Sequence, residues 1–321
     1  MMKEETKMKY TDTKTAVNRA DYARNFREYA RGYAPAEEVL QNGTVKNVSG
    51  YMLPGDTEDK YEKAINKESV FRNLASVFNA YDGASSIYAY DSDDTAEFVP
   101  EFGTIDIKDV ADDFSKLTVD NHKVATLLRA SAEFVHDAAF DIEGYLVKRL
   151  AKAFAKTEDT AFVTGAGTDE PIGILDDTAG AEVGVTSESI TYDDIIRLYF
   201  SVDKDYRKNA VWLMNDDTAL TLRTLKDENG NYIWNQANDT ILGKRVVICN
   251  DMPDADSGEK PVAFGDFSYY WIIKRSPVAV KTLVERFALN GQIGYLAHEF
   301  LDGKLVRRDA VKVLKVETEE V

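Results

Sequence analysis

EDTAFVTGAGTDEPIGIL, residues 158–175, brings an amphipathic segment to an abrupt stop at Gly165. Gly165 and Gly167 permit positive φ, and Pro171 keeps Glu170 out of the helical region, so the chain must turn here. Ile172, Ile174 and Leu175, with Gly173 among them, then return apolar side chains beneath the turn. Gly165-Ala166-Gly167 also opens like the phosphate-binding pattern G-x-G-x-x-G. That pattern needs a strand before it, a helix after it and a third glycine where Glu170 stands, and none of these is met. The stretch reads as a helix stop. Gly165, Gly167, Pro171 and Gly173 make its turn, and no cofactor is expected there.

Upstream, Asp141 is suited to cap a helix on which Ile142, Tyr145-Leu146, Leu150, Ala153-Phe154 and Ala161-Phe162 recur at helical spacing. One helix over 141–163 would be about 35 Å long at about 1.5 Å per residue. Gly144 within it costs about 1 kcal/mol against alanine, which fits close packing or a fraying first turn. Lys148, Lys152 and Lys156 follow at i, i+4 and i+8 on another face, beside Arg149. A stripe of this kind is more often solvated than used.

Downstream, helix and strand alternate. Thr191 with Asp194 resembles a capping box, with Asp in place of the usual Glu or Gln, for a helix carrying Ile195-Ile196, Leu198-Tyr199 and Val202. Residues 211–214 predict a strand, 217–225 a helix, and Asn229-Gly230 a turn. Residues 245–249 predict a buried strand, with further strands over 262–264, 269–273 and 277–284. Residues 295–301 lead to an expected turn at Asp302-Gly303, and 311–316 close as a strand before an acidic tail.

On the N-terminal side, residues 1–16 are charged and aperiodic and read as an arm. Tyr22, Phe26, Tyr29 and Tyr33 predict a helix within 17–40 that gathers Arg24, Arg27 and Arg31. Residues 1–31 hold eight basic and five acidic side chains, a local +3. The plainer reading is a solvated face; the functional one is contact with acidic partners. Residues 41–50 read as a linker, and 61–78 as helical through Ile65, Leu74 and Val77-Phe78. Residues 86–121 break into short strand-like pieces with ten acidic and two basic side chains. Glu97, Glu101, Asp112 and Asp113 are among the acids. Alone, so polar a segment is a long two-stranded hairpin or a disordered loop, seeking a partner. A strand over 123–128 leads back to the body.

The 321 residues suffice for one large or two modest domains, and the net charge is −17. Such acidity disfavours nucleic-acid binding by the whole surface. Cys249 is the one cysteine, so no internal disulfide forms. There is no signal-peptide pattern and no membrane-spanning run, which predicts a soluble chain inside the cell that makes it. His122, His136 and His298 are scattered without zinc-site spacing, and no G-x-S-x-G elbow is present. Asp93-Asp94, Asp112-Asp113, Asp193-Asp194 and Asp216-Asp217 suit turns and helix starts better than acid–base work. Trp212, Trp234 and Trp271 suit core and interface anchors. No catalytic residue, metal or cofactor is expected.

The order of a long helix, Thr164-Gly165-Ala166-Gly167-Thr168, then Glu170-Pro171-Ile172-Gly173-Ile174-Leu175 resembles tailed-phage (Caudoviricetes-type) major capsid proteins of the Hong Kong 97-like family. Tyr51-Met52-Leu53-Pro54 resembles that family's lead-in to the shell domain. Leu242-Gly243-Lys244-Arg245-Val246-Val247 with Asp251-Met252-Pro253, Phe264-Gly265-Asp266 with Tyr269-Tyr270, and Asp302-Gly303-Lys304 before Ala310-Val311-Lys312-Val313-Leu314 follow in family order. The resemblance covers roughly 50–316. It implies a mixed α/β (α+β) fold with a long spine helix, peripheral and axial domains, an extended β-hairpin loop and an N-terminal arm. Its boundaries would be 1–50 for the arm, 51–85 for the lead-in and 86–122 for the loop. The peripheral domain would take 123–175 with 276–306, and the axial domain 176–275 with 307–321.

It further implies pentamers and hexamers in an icosahedral virion shell around double-stranded DNA, bound without sequence specificity and assembled in the host cytoplasm. A portal protein, and a separate scaffold or decoration protein, would be the other partners, with no membrane. About 50 residues before the shell domain leave no room for a large N-terminal scaffold. Lys108 in the loop invites a covalent cross-link, but nothing around it specifies that chemistry. The inter-subunit candidates are Glu97, Glu101, Asp112 and Asp113 on the loop, Lys148, Lys152 and Lys156 on the spine, and Arg24, Arg27 and Arg31. An encapsulin-like nanocompartment and an α/β enzyme are the rival readings.

Overall fold

The computed structural model describes residues 24, 26–33, 51–52, 55–80, 86–90, 98, 114–137, 141–226, 232, 234 and 239–317. In chain order these form β1 (Tyr51–Met52), α1 (Gly55–Glu68), β2 (Ser76–Asn79), β3 (Ser86–Tyr90), β4 (Phe114–Thr118), β5 (His122–Ser131), α2 (Ala132–His136) and α3 (Ile142–Thr164). Then come β6 (Glu182–Ser187), α4 (Tyr192–Ser201), β7 (Val211–Met214), α5 (Asp216–Thr224), β8 (Thr240–Ile241), β9 (Lys244–Ile248) and β10 (Val262–Gly265). β11 (Tyr270–Leu283), β12 (Gln292–Leu305) and β13 (Val311–Val316) complete the chain. Two compact units result. The first is Met1–Ser69, Lys123–Thr157 and Pro277–Phe300; the second is Val70–His122, Glu158–Ser276 and Leu301–Val321. The division falls within α3, upstream of the boundary drawn from the sequence at 175.

In the first unit α3 buries Ile142, Leu146, Val147, Leu150, Ala151, Phe154 and Ala155. These lie on one helical face and meet Phe26, Tyr61, Ile65, Val278, Val280, Ile293 and Tyr295 in a single core. Asp141 starts the helix as expected, its Oδ1 accepting the Gly144 N–H at 3.0 Å. The helical turn over 26–30 is fastened to the sheet strands. The Tyr295 hydroxyl donates to Ala30 O at 2.7 Å, and Thr282 N–H donates to the Tyr29 hydroxyl at 2.8 Å. That turn ends sooner than the tyrosine spacing suggests. Gly32 takes φ 77°, and Gly32 and Tyr33 donate back to Tyr29 O and Glu28 O, a Schellman closure. Tyr33 is therefore off the buried face, exposed and stacked on His136 at 4.7 Å.

The second unit holds a mixed six-stranded sheet in the order β6-β13-β10-β7-β9-β8. β13 runs parallel to β6 and β9 parallel to β7, and the remaining pairs are antiparallel. Its core joins Ile195 and Leu198 of α4 and Ala219 and Leu222 of α5 to Trp212, Met214, Val262, Phe264 and Leu314. The Thr191–Asp194 capping box is formed, and Asn215 caps α5 by accepting Thr218 N–H at 2.7 Å. The β3–β4 hairpin pairs Ser86 with Thr118 through to Tyr90 with Phe114. Asn229-Gly230 lies outside the described residues.

Four local expectations need correction. The helix expected over 61–78 begins at Gly55 and ends at Glu68; 76–79 is a strand parallel to 271–274. The Asp159 carboxylate takes the Val70 and Phe71 N–H groups at 2.8 and 3.2 Å, so the chain is captured before a helix could continue. The strands expected at 269–273 and 277–284 are one strand, β11. Pro277 sits between the residues that pair with β2 (271–274) and with β1 (279–280), where its missing N–H breaks neither ladder. β9 is half-exposed rather than buried, because it is flanked by β8, only two residues long. Finally, Asp302-Gly303 is not a turn but part of β12, with the Asp302 side chain fully buried.

Candidate functional site

The helix stop is built from backbone. Below Gly165 the chain doubles back, so that Gly173, Ile174 and Leu175 donate to Gly165 O, Phe162 O and Val163 O at 2.8, 2.8 and 3.0 Å. Carbonyls that a helix C-terminus leaves open are thereby satisfied. Ile172 N–H reaches Gly303 O at 3.1 Å, and the Tyr270 hydroxyl donates to Ile172 O at 2.7 Å. Of the first two glycines only Gly167 uses positive φ, at 74°. Gly165 is needed for space: a Cβ there would lie 2.2 Å from Pro171 O and 2.4 Å from Ala161 O. At Gly173 a Cβ would lie 2.5 Å from Val163 O, and Pro171 itself is buried. Glu170 Oε1 accepts Ala166 N–H at 3.2 Å, placing a carboxylate where a phosphate loop would hold its ligand.

Lys148, Lys152 and Lys156 are all exposed along α3, with Arg149 beside them. Arg27 Nε lies 3.1 Å from Glu143, whose carboxylate also accepts the Thr57 hydroxyl at 2.6 Å and faces Lys60 at 3.2 Å. Arg24 and Arg31 also have partners of their own. Glu97, Glu101, Asp112 and Asp113, and Lys108 with them, lie outside the described residues. Tyr88 on the hairpin and Phe98 beyond it are exposed aromatic side chains.

The buried titratable groups do not converge on a reaction. Burial pushes the Cys249 thiol up to about 12, far from the reactive range. Arg72 and Glu158 form a fully buried, two-pronged pair at 2.7 and 2.9 Å, which sequence reading missed because the partners are distant in the chain. His298 is buried, and both its ring nitrogens lack hydrogen-bond partners among the described residues. His122 is brought beside Asp120 and Asp302, with ligand atoms within 4.8 Å of one another. The Lys304 ammonium, 2.7 Å from Asp120 and 3.3 Å from Asp302, already supplies positive charge there, so the group does not fit a cation. A surface cleft of about 520 Å³ is lined by Ser131, Glu133, Phe134, Asp137 and Tyr145, and another of about 330 Å³ by Asp216, Asp217, Leu220 and Arg223. No helix among the described residues is long and apolar enough to cross a membrane.

Known proteins resemble this arrangement. Residues 49–316 match a family described as the phage capsid family. A probable major capsid protein of Mycobacterium phage D29 is 27% identical over 200 residues, 61% of this chain and 61% of that protein. The chain thus spans about three fifths of that curated relative's length. Among solved structures, the capsid of an empty GTA particle has a TM-score of 0.62 at 26% identity, covering 88% of this chain and 98% of that one. A chain from Gordonia phage Cozz shares the fold at a TM-score of 0.56 and 14% identity, over 88% of this chain and 94% of its own.

Proposed function

The chain belongs to the phage capsid family with its Hong Kong 97-like fold, and we propose that it is a major capsid protein. Its copies assemble as pentamers and hexamers into an icosahedral head around double-stranded DNA. Many modest interfaces repeated by symmetry hold such a shell together. The reading is carried by the family match over 49–316 together with the likeness to nearly the whole of a solved capsid chain. In this reading 123–175 with 276–306 form the peripheral domain and 176–275 with 307–321 the axial domain. DNA is contained rather than read, in keeping with a net charge of −17. A portal protein, and a separate scaffold or decoration protein, complete the head, which assembles in the host cytoplasm.

The loop, with Glu97, Glu101, Asp112 and Asp113, lies over a neighbouring copy and needs a basic landing surface. Lys148, Lys152 and Lys156 supply it, supported by their exposure along one helix. Arg24, Arg27 and Arg31 are second, and Arg27 is weakened because Glu143 already holds it. Gly165, Gly167, Pro171 and Gly173 keep the spine's end in shape and touch no ligand. Sedimentation of the purified chain tests the function. Closed shells are expected, whereas a chain that stays monomeric at every concentration and salt would contradict it. Shells filled with a protein cargo would instead favour a nanocompartment.

A further inference from the structure

Asp120, His122, Asp302 and Lys304 bring four charged or titratable side chains together, with His122 and Asp302 buried, Lys304 mostly buried and the Asp120 side chain half-exposed. The cluster's place explains it. Residues 118–122 are the limb by which the hairpin returns to the body. Asp302 Oδ2 accepts the Asp120 N–H at 2.8 Å, and Asp302 Oδ1 accepts its neighbour Gly303 N–H at 2.8 Å while facing His122 Nε2 at 3.6 Å. Lys304 Nζ donates to Thr118 O and to Asp120 Oδ2, both at 2.7 Å. The outgoing limb is tied separately: β2 pairs with 271–274, and Ala80 N–H donates to Lys274 O at 2.8 Å. We infer that Asp302 and Lys304, at the end of β12, form a latch that fixes the direction in which the hairpin leaves its own subunit.

A two-stranded hairpin has little stability of its own, so its direction must come from its root. Here the root is gripped at both limbs, one by a ladder and one by charge. Charge-assisted hydrogen bonds at a half-buried site are directional and stronger than neutral ones. A ladder tolerates bending at its end; the Asp302–Lys304 grip removes that freedom. The Lys304 ammonium beside Asp120 holds the Asp120 carboxyl below its usual range, with His122 and Arg275 acting in the same sense. The Asp120 carboxylate therefore stays charged at neutral pH, and its pairing with Lys304 is lost only below the ordinary carboxylate range. The latch is a property of the single chain; its use in aiming the loop at a neighbour rests on the capsid reading.

Hydrogen exchange on the unassembled full-length chain tests it without any shell. Lys304→Met should speed exchange at the amides of 114–120 about tenfold while those of 146–163 stay as in wild type. Lys304→Arg, which keeps the charge, should restore most of the protection. Asp120→Asn, at a half-exposed side chain, should give a smaller rise confined to the same amides. Unchanged exchange at 114–120 in both Lys304→Met and Asp120→Asn overturns the latch. An equal rise along α3 in Lys304→Met also overturns it, by making Lys304 a general structural residue. If the latch holds but no variant or wild type ever forms shells, the capsid reading fails and the latch stands.

Discussion

Gly167 holds φ 74° at the turn below the spine helix, and a Cβ added there would come within 2.6 Å of Ile172 Cγ1. Gly167→Val therefore combines strained backbone with a clash, costing about 1–3 kcal/mol. Thermal melting should show a lowered midpoint in an otherwise folded chain; an unchanged midpoint would remove the turn from the list of backbone requirements. His298 is the other residue with a clear consequence. Burial, aided by Lys123, holds its imidazole below its usual range, so the folded state keeps it neutral. The unfolded chain binds a proton below about pH 6.5, so stability should fall as pH drops through that value. The fall stops once the folded pKa is reached. Urea melts at pH 7 and pH 5.5 should show this loss, and His298→Leu should reduce it; equal losses in both proteins would contradict the assignment. At this scale the sequence was readable where the cause is local. Gly167 announces itself by its neighbours. Nothing near His298 or Arg72 in the chain reveals burial, because the residues that enclose them are far away.

Elements were legible where their signals are short-range. The Thr191–Asp194 box, the Asp141 cap and the apolar spacing of α3 all sit within a few residues of what they control. Asp302-Gly303 misleads for the opposite reason: the pair looks like a turn, but Asp120 N–H and Lys304 reach Asp302 from outside the dipeptide and keep it in a strand. Likewise Pro277 suggests a break between strands, and only the two registers on either side of it show why none occurs. The hairpin can be tested as an element. The described strands β3 and β4 form a two-stranded sheet with each other, and Tyr88 on β3 is exposed. Replacing residues 88–117 by a short Gly/Ser linker should leave circular dichroism close to wild type, since closing the shorter loop changes entropy by about 0.6 kcal/mol per halving. Shells should then fail to sediment. Cooperative loss of the whole fold would put the hairpin in the core instead.

The whole molecule is acidic, with a net charge of −17, and the segment over 86–121 carries −8 of it. Copies of such a chain repel one another unless acidic and basic faces are matched. Lys148→Glu with Lys152→Glu should give a folded subunit that assembles poorly. Added salt should partly restore assembly by screening the new repulsion. Asp112→Lys with Asp113→Lys in the same chain should restore more. Unchanged assembly and salt response would leave the stripe a solvated face. Each exposed pair is weak, so only repetition over a shell makes the effect visible. The family was legible in the order of short motifs along the chain. The docking of copies was not, because it depends on surfaces that no local pattern marks. The most direct measurement is an electron cryomicroscopy reconstruction of particles formed by the wild-type chain. Closed icosahedral shells of pentamers and hexamers are expected, in which residues 97–113 of one copy end at Lys148, Lys152 and Lys156 of a neighbour. Open aggregates or discrete monomers, with no closed shell, would contradict the capsid reading.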